Sequence, residues 1–495
     1  MISERTDPPR IALAGLLALL AVAEFMLTLD LSIVNVALPA IRADLGFDQS
    51  SLQWVVNGYA LTFAGFLLLG GRAADLFGGR RVFLAALSVF SLASLGCALA
   101  TGQGALVTAR SVQGLSAGVL APATLSILTA TFHEPRARNR ALSIWTATAI
   151  GGGAVGGLLG GVLTGTLSWR WIFFVNVPLG ALLLALAISR LPRGVPAAAR
   201  HALDVAGAVT VTGGLTALVW ALIRSDDAGW GSAEVLGGFA TAALLLGAFV
   251  LVETRMARTP LVPFAVFRSR LLSAGNLLSF ASFVPVMATW FFLTLYLQGV
   301  RGHTPLQTGL EFLPLSLAVV GGSQVSFRVI SHTDARLLFL AGGLIAAAGQ
   351  AWLGQLSAAT ALPWVIIPAT IAMVGGGLMF APVTVAATAG VAPEQGGLAS
   401  GLLNTTRQIG GALGLAVLAT IAAAHTGGSA GQTPAALSAG YATALSVGAA
   451  IFVATALAGA LALPARLDTP APARDPRARA GERQHQPTTG GGGLR

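Results

Sequence analysis

The chain of 495 residues has no lysine, one cysteine and 19 acidic residues, and charged residues make up only 10% of it. A soluble domain carries about a quarter charged residues, so a soluble enzyme fold is excluded for most of the chain. With Cys97 alone, no intramolecular disulfide and no cysteine-cluster metal site can form, and its place inside an apolar run marks it as a small packing residue. The six histidines show no metal-ligand spacing, and no nucleophile stands beside a base. No catalytic residue, metal or cofactor is expected, and the chain does not read as an enzyme. The formal net charge of +10 comes from 29 arginines. Because they sit between apolar runs, they report membrane orientation and leave no nucleic-acid footprint.

What the chain has in excess is apolar sequence: 55% hydrophobic residues and 62 glycines. Fourteen apolar stretches stand out, at 11–38, 52–70, 82–101, 105–131, 141–167, 169–190, 205–223, 234–252, 271–297, 306–327, 336–356, 363–390, 397–424 and 438–463. Runs of about 18 or more apolar residues span a bilayer as helices, because hydrocarbon offers backbone groups no water to bond. Barrel strands would be shorter and alternating. The expected fold class is an all-α polytopic membrane protein with 14 transmembrane helices.

With the N-terminus inside, 23 arginines fall on cytoplasmic segments and four (Arg42, Arg170, Arg224 and Arg301) fall outside, while Arg110 and Arg407 lie within apolar runs. That asymmetry puts both termini in the cytoplasm of a multi-pass cell-membrane protein. Arg5, Arg10, the run 11–20 and Ala21-Val22-Ala23 have the form of a signal peptide. Apolar character resumes over 25–38, so one spanning helix is expected there instead. The tail 464–495, rich in Pro, Arg and Gly, reads as disordered and cytoplasmic.

An ionisable residue in mid-bilayer costs about 2.5 to 3.5 kcal/mol on insertion scales and is a functional candidate by default. Here these are Glu24, Asp30, Arg110 and Arg407. Asp30 is expected about 12 Å from the outer end of the first helix and Arg110 about 8 Å deep in the fourth. The long Arg side chain bridges that difference, as a coupling element across a cavity or as a fixed ion pair holding two helices. Glu24 lies about 9 Å before Asp30 and 120° around the helix. A carboxylate in a low-dielectric cavity can take up and release a proton near neutral pH, as a proton-driven carrier requires. Gln113 and Gly114 share the face of Arg110. Asn404, Arg407, Gln408 and Gly411 form a similar stripe on the thirteenth helix, either lining a polar path or binding helices together.

The fifth helix carries two glycine ridges, Gly152, Gly156 and Gly160 beside Gly153, Gly157, Gly161 and Gly165. Small residues at this spacing let helices pack backbone to backbone. The segment Gly71 to Arg81 reads as a short cytoplasmic turn in which Gly71, Asp75, Gly78, Arg80 and Arg81 are candidate gate residues. Its arginines serve as positive-inside anchors, and Asp75 is expected to bind a basic group or a helix N-terminus when the inner side is closed.

Taken together these residues resemble the major facilitator superfamily, in its fourteen-helix drug/proton antiporter branch, over 11–463. The resemblance rests on Gly71 to Arg81, on Leu-Asp-Leu-Ser-Ile-Val-Asn-Val-Ala-Leu-Pro at 29–39, and on Arg110-x-x-Gln113-Gly114. It rests too on Trp-Arg-Trp-Ile-Phe-Phe-Val-Asn-Val-Pro at 169–178 and Asn404 to Gly411. It implies two six-helix bundles, 11–190 and 271–463, joined by a 191–270 segment that carries two extra helices at 205–252 with cytoplasmic linkers, with a 1–10 cytoplasmic segment before them and the 464–495 tail after. It further implies alternating access around a midplane site, proton coupling through Asp30, Glu24 and Arg110, and a central cavity with Asn35, Gln113, Asn404, Arg407 and Gln408. Antiporter-type helix packing falls on Gly156, Gly157, Gly160 and Gly161, where the branch's proline is missing. Gly79 stands where the loop motif carries arginine, and Glu311 is the one acid within helices of the second bundle.

The implied activity is proton-coupled efflux of an amphipathic small molecule such as a drug or antibiotic. The alternative is a facilitator or importer of a metabolite without antiport. Expected partners are the substrate, protons and lipid, with no nucleic acid, and the protein is expected to be a monomer. Trp54, Tyr59, Trp290, Phe291 and Tyr296 either stack on substrate or pack in the core.

Overall fold

The computed structural model describes residues 10–48, 51–132, 134–191, 203–257, 259–389, 396–426 and 433–465. The states expected for the N-terminal segment before residue 10, for 192–202 and for the tail from 466 onward fall outside these residues. Among the described residues, fourteen helices are long and apolar enough to cross a membrane. They are α1 (Arg10–Leu45), α2 (Trp54–Phe77), α3 (Gly79–Ala98), α4 (Gln103–Thr131), α5 (Pro135–Thr166), α6 (Trp171–Arg190) and α7 (Val205–Ala228). The rest are α8 (Ala233–Leu251), α9 (Arg270–Leu295), α10 (Pro305–Val329), α11 (Ala335–Leu353), α12 (Pro363–Thr388), α13 (Gly396–His425) and α14 (Pro434–Ala462). The all-α membrane fold read from the apolar runs is the fold observed.

Helix ends differ from the hydropathy limits where polar residues continue a helix. The α1 helix passes residue 38 and ends at Leu45, with Pro39 inside it. More consequentially, Gly71 to Arg81 is not a turn. Gly71 and Asp75 belong to the last turns of α2, Arg80 and Arg81 to the first turn of α3, and the helices meet at Gly78 alone. Its φ of 87° lies in the left-handed region that glycine enters freely, so one residue suffices to reverse the chain. In α12 the helix is interrupted at Met379, just past Gly375-Gly376-Gly377.

An even number of spans leaves the start of α1 and the end of α14 on one side, here the terminal face; the other is the far face. Side-chain packing differs between the two. In the far half, one continuous core joins residues of both halves of the chain, including Ile33, Val55 and Phe173 with Phe291, Phe312, Met373 and Leu415. In the terminal half the core splits. One cluster, with Leu20, Phe83, Leu120 and Leu183, belongs to α1–α6, and another, with Leu278, Phe339, Met379 and Phe452, belongs to α9–α14. The apolar core is therefore shared between the halves at the far face and divided between them at the terminal face, where α13 still meets α2 through Thr405, which donates to the Ala64 carbonyl at 3.3 Å.

The extra helix α7 packs where the halves meet. Leu215, Val219 and Ile223 share a cluster with Ala60 and Leu61 of α2 and with Ala412 and Ala416 of α13. Thr420 of α13 donates to the Leu222 carbonyl at 3.1 Å.

Candidate functional site

Four helices converge on Asp30, which is fully buried in α1. Arg110 of α4 donates from Nη1 to Asp30 Oδ2 at 2.7 Å and also to Gln113 Oε1 at 2.7 Å. Asp30 Oδ1 accepts from Gln113 Nε2 at 2.8 Å and from Asn176 Nδ2 of α6 at 2.8 Å. Both amides also donate to Ser94 Oγ of α3, at 3.0 and 3.1 Å, and that hydroxyl donates to the Phe173 carbonyl at 3.0 Å. Arg110 Nε donates to the Val55 carbonyl at 3.0 Å, and the guanidinium lies 4.4 Å from the Tyr59 ring centroid. One positive and one negative charge thus share a fully buried site, each with added hydrogen bonds, the arrangement a buried pair needs to offset desolvation. Arg110 Nη2 and Asn176 Oδ1 are buried without a partner. The network is consequently not saturated.

Glu24 stands apart from this network. It is 8% exposed, Oε2 has no hydrogen-bond partner, and no cation pairs with it among the described residues. The Thr124 hydroxyl of α4 lies in hydrogen-bonding reach. Asn35 Nδ2 reaches the Ser32 carbonyl at 3.4 Å, while its Oδ1 is buried and unpartnered. Asn404, Arg407 and Gln408 sit on α13 in the other half, and Arg407 joins serine and threonine side chains there, away from Asp30. Tyr59 and Phe291 are core residues; Tyr296 donates to the Ser357 carbonyl at 2.8 Å.

At the terminal face, Asp75 is exposed and holds no ion pair among the described residues, and Arg81 is exposed. Arg80 donates to the Ile188 carbonyl at 2.8 Å. The residue that reaches across is Arg72, which donates through both terminal nitrogens to the Thr259 and Pro260 carbonyls. Glu253 accepts from the Leu261 and Val262 amides at 3.1 Å each, and Asp204 caps α7 by accepting from Gly207 at 2.8 Å. These residues fasten the α7–α8 pair to the end of α2.

The two glycine ridges of α5 face different helices. A Cβ on Gly160 would stand 2.6 Å from the Ile33 carbonyl of α1, and one on Gly161 would stand 2.5 Å from the Pro305 carbonyl of α10. A Cβ on Gly156 would clash with Ser32, one on Gly157 would make ordinary contact with Phe312 at 3.5 Å, and one on Gly153 would meet open space. Backbone contact between α5 and α10 closes the far face without any side chain at these positions.

Sequence reasoning singled out Asp30, Arg110 and Gln113 but missed Asn176, Ser94 and Arg72. Asn176 lay within a quoted motif, and an amide inside an apolar run is the signal that would have found it.

The sequence pattern of the Major Facilitator Superfamily matches residues 20–415. The chain is 46% identical over 444 residues to the cephamycin export protein CmcT of Amycolatopsis lactamdurans, covering 88% of this chain and 90% of that one. It is 39% identical over 416 residues to the puromycin resistance protein pur8 of Streptomyces alboniger, covering 83% and 82%. Among solved structures, a bacterial homolog of the human lysosomal transporter Spinster, inward-facing and unoccupied, matches with a TM-score of 0.65 at 16% identity, over 92% of this chain and 98% of that one. At that identity the likeness concerns the fold alone.

Proposed function

This chain belongs to the major facilitator superfamily, and from that membership we propose that it exports an amphipathic small molecule in exchange for protons, by alternating access. Export is supported by relatives named for cephamycin export and puromycin resistance, and those two compounds are the first substrates to test. The terminal face is the cytoplasmic one, with both termini inside, and the division of the apolar core there supports entry of the substrate between the bundles from that side. The bundles 11–190 and 271–463 rock against each other, and 205–252 forms the linking pair.

The observation that carries proton coupling is the contrast within α1. Asp30 already has a counter-charge and two amide donors, whereas Glu24 has no cation beside it. An uncompensated carboxylate in an apolar bundle is the group that gains by binding a proton. Glu24 is the proton carrier in this reading, and the Asp30–Arg110 network, anchored on α1, α3, α4 and α6, transmits its charge state to the bundle. Asn35 and Gln113 flank the polar path on one side, and Asn404, Arg407 and Gln408 on the other. Gly71, Asp75, Gly78, Arg80 and Arg81 form the inner gate, while Gly156, Gly157, Gly160 and Gly161 form the packing surface on which α5 shifts.

The test is a susceptibility panel in a pump-deficient bacterial host producing the chain, followed by accumulation assays with and without an uncoupler. Resistance accompanied by low accumulation that an uncoupler raises supports the proposal. Resistance with accumulation indifferent to the uncoupler overturns proton antiport.

A further inference from the structure

The second half of the molecule holds a cation that the mechanism above leaves without a counter-charge. Arg407 of α13 donates from Nε to Ser279 Oγ of α9 at 3.1 Å and from Nη2 to Thr384 Oγ1 of α12 at 3.0 Å. Its guanidinium carbon lies 4.3 Å from the Phe380 ring centroid and 5.8 Å from that of Phe283. All four neighbours are uncharged, and no carboxylate pairs with Arg407 among the described residues. Glu311, the acid within these helices, is engaged elsewhere, 2.8 Å from His303.

The contrast with Arg110 is chemical. Both arginines are held by other helices and by aromatic rings, but only Arg110 has an acid against it. A guanidinium carries five N–H donors in a planar fork. In Arg407 two of them are committed to the hydroxyls, and those hydroxyls and rings fix the plane of the fork. Beside it lies a pocket of about 20 Å³, bounded by Ser282, Val286 and Gly376, enough for a water or one small polar group. Arg407 is itself partly exposed rather than sealed in the core. A membrane protein that keeps an uncompensated cation at a small, partly open pocket has the makings of a receptor for a planar anion.

We propose that Arg407, oriented by Ser279 and Thr384 and backed by Phe380, binds a carboxylate group of the transported molecule. This names the substrate class for the exporter reading and rests on it. The carboxylate accepts from the free edge of the fork, and the apolar remainder of the molecule extends from the pocket beside Phe283 and Phe380.

The experiment uses the purified full chain and a matched pair of dyes, rhodamine 110 with a free carboxylate and rhodamine 123, its methyl ester. Binding is measured by fluorescence anisotropy, and uptake is measured in everted vesicles. The wild type is expected to bind the acid more tightly than the ester. Arg407→Gln is expected to weaken acid binding by about ten-fold or more, the loss of a charge-assisted bidentate contact, while ester binding changes less than about two-fold. Arg407→Lys, which keeps the charge and loses the fork, is expected to fall between. Equal loss for acid and ester, unchanged acid binding in Arg407→Gln, or no acid binding by the wild type overturns the site. Acid binding that depends on Arg407 without any uptake would sink the export reading and leave the site standing; uptake of the ester by a wild type that does not bind the acid would do the reverse.

Discussion

Arg110 and Asp30, 80 residues apart in the chain, meet at 2.7 Å with neither side chain reaching solvent. Removing one member of such a pair strands the other charge, which costs about 3–5 kcal/mol, whereas removing both charges together is often close to neutral. Asp30→Ala is therefore expected to lower the unfolding temperature and yield of the detergent-purified protein sharply. The double variant Asp30→Asn with Arg110→Gln is expected to recover most of that stability and none of the proton-driven transport. A double variant no more stable than the single one would contradict the pairing.

Glu24 has no such partner, so Glu24→Gln removes a charge that nothing compensates and is expected to leave thermal stability within about 1 kcal/mol. Substrate uptake driven by an imposed pH gradient in everted vesicles is expected to disappear, while counterflow exchange without a gradient continues. Full gradient-driven uptake in this variant would refute the assignment of the proton to Glu24.

The glycine ridges give a prediction with an internal control. Gly161→Ala places a methyl group against the Pro305 carbonyl and is expected to hold the far face apart, whereas Gly153→Ala meets nothing. Because Cys97 is fully buried, a cysteine introduced at the far end of α10 reports alone. Its labelling from the far side is expected to rise in the Gly161 variant and to match the parent in the Gly153 variant. Equal labelling in both would remove the ridge from the closing contact.

Arg72 ties the end of α2 by hydrogen bonds to the segment entering α9, beside the packing of Leu69 on Leu261. Arg72→Gln is expected to speed backbone hydrogen exchange over 259–262 and at the start of α7, where Glu253 and Asp204 hold the same corner. Exchange in α3 serves as the reference. An unchanged pattern at 259–262 would show that Glu253 and the packing of Leu261 on Leu69 hold the segment without Arg72.

The Asp30–Arg110 contact was legible in the sequence because charges within apolar runs are so few that each stands out. Asn176 and Ser94 were not, since uncharged polar residues are common in these runs and most bond their own helix, as Ser91 does with the Leu87 carbonyl. Arg72 escaped for another reason: its partners are backbone carbonyls, 187 and 188 residues away, which leave no mark on side-chain pattern. The helix count was read from composition alone, but the sharp junction at Gly78 needed its backbone dihedral. Asp75, Arg80 and Arg81 are close in sequence but fall on two helices, Asp75 at the end of α2 and both arginines at the start of α3.

The α7 helix touches both halves, and a body in contact with two others that move apart cannot stay fixed to both. Its apolar side chains pack on α2 and α13 alike, but its polar attachments are unequal. Thr212 of α7 nests against Gly65 of α2, and Arg72 grips the segment that follows α8, while toward α13 the polar link is one hydroxyl on the Leu222 carbonyl. In the alternating access proposed above, these polar contacts would carry the linking pair with the first bundle, and the apolar seam of Leu215, Val219 and Ile223 on Ala412 and Ala416 would be the surface that yields.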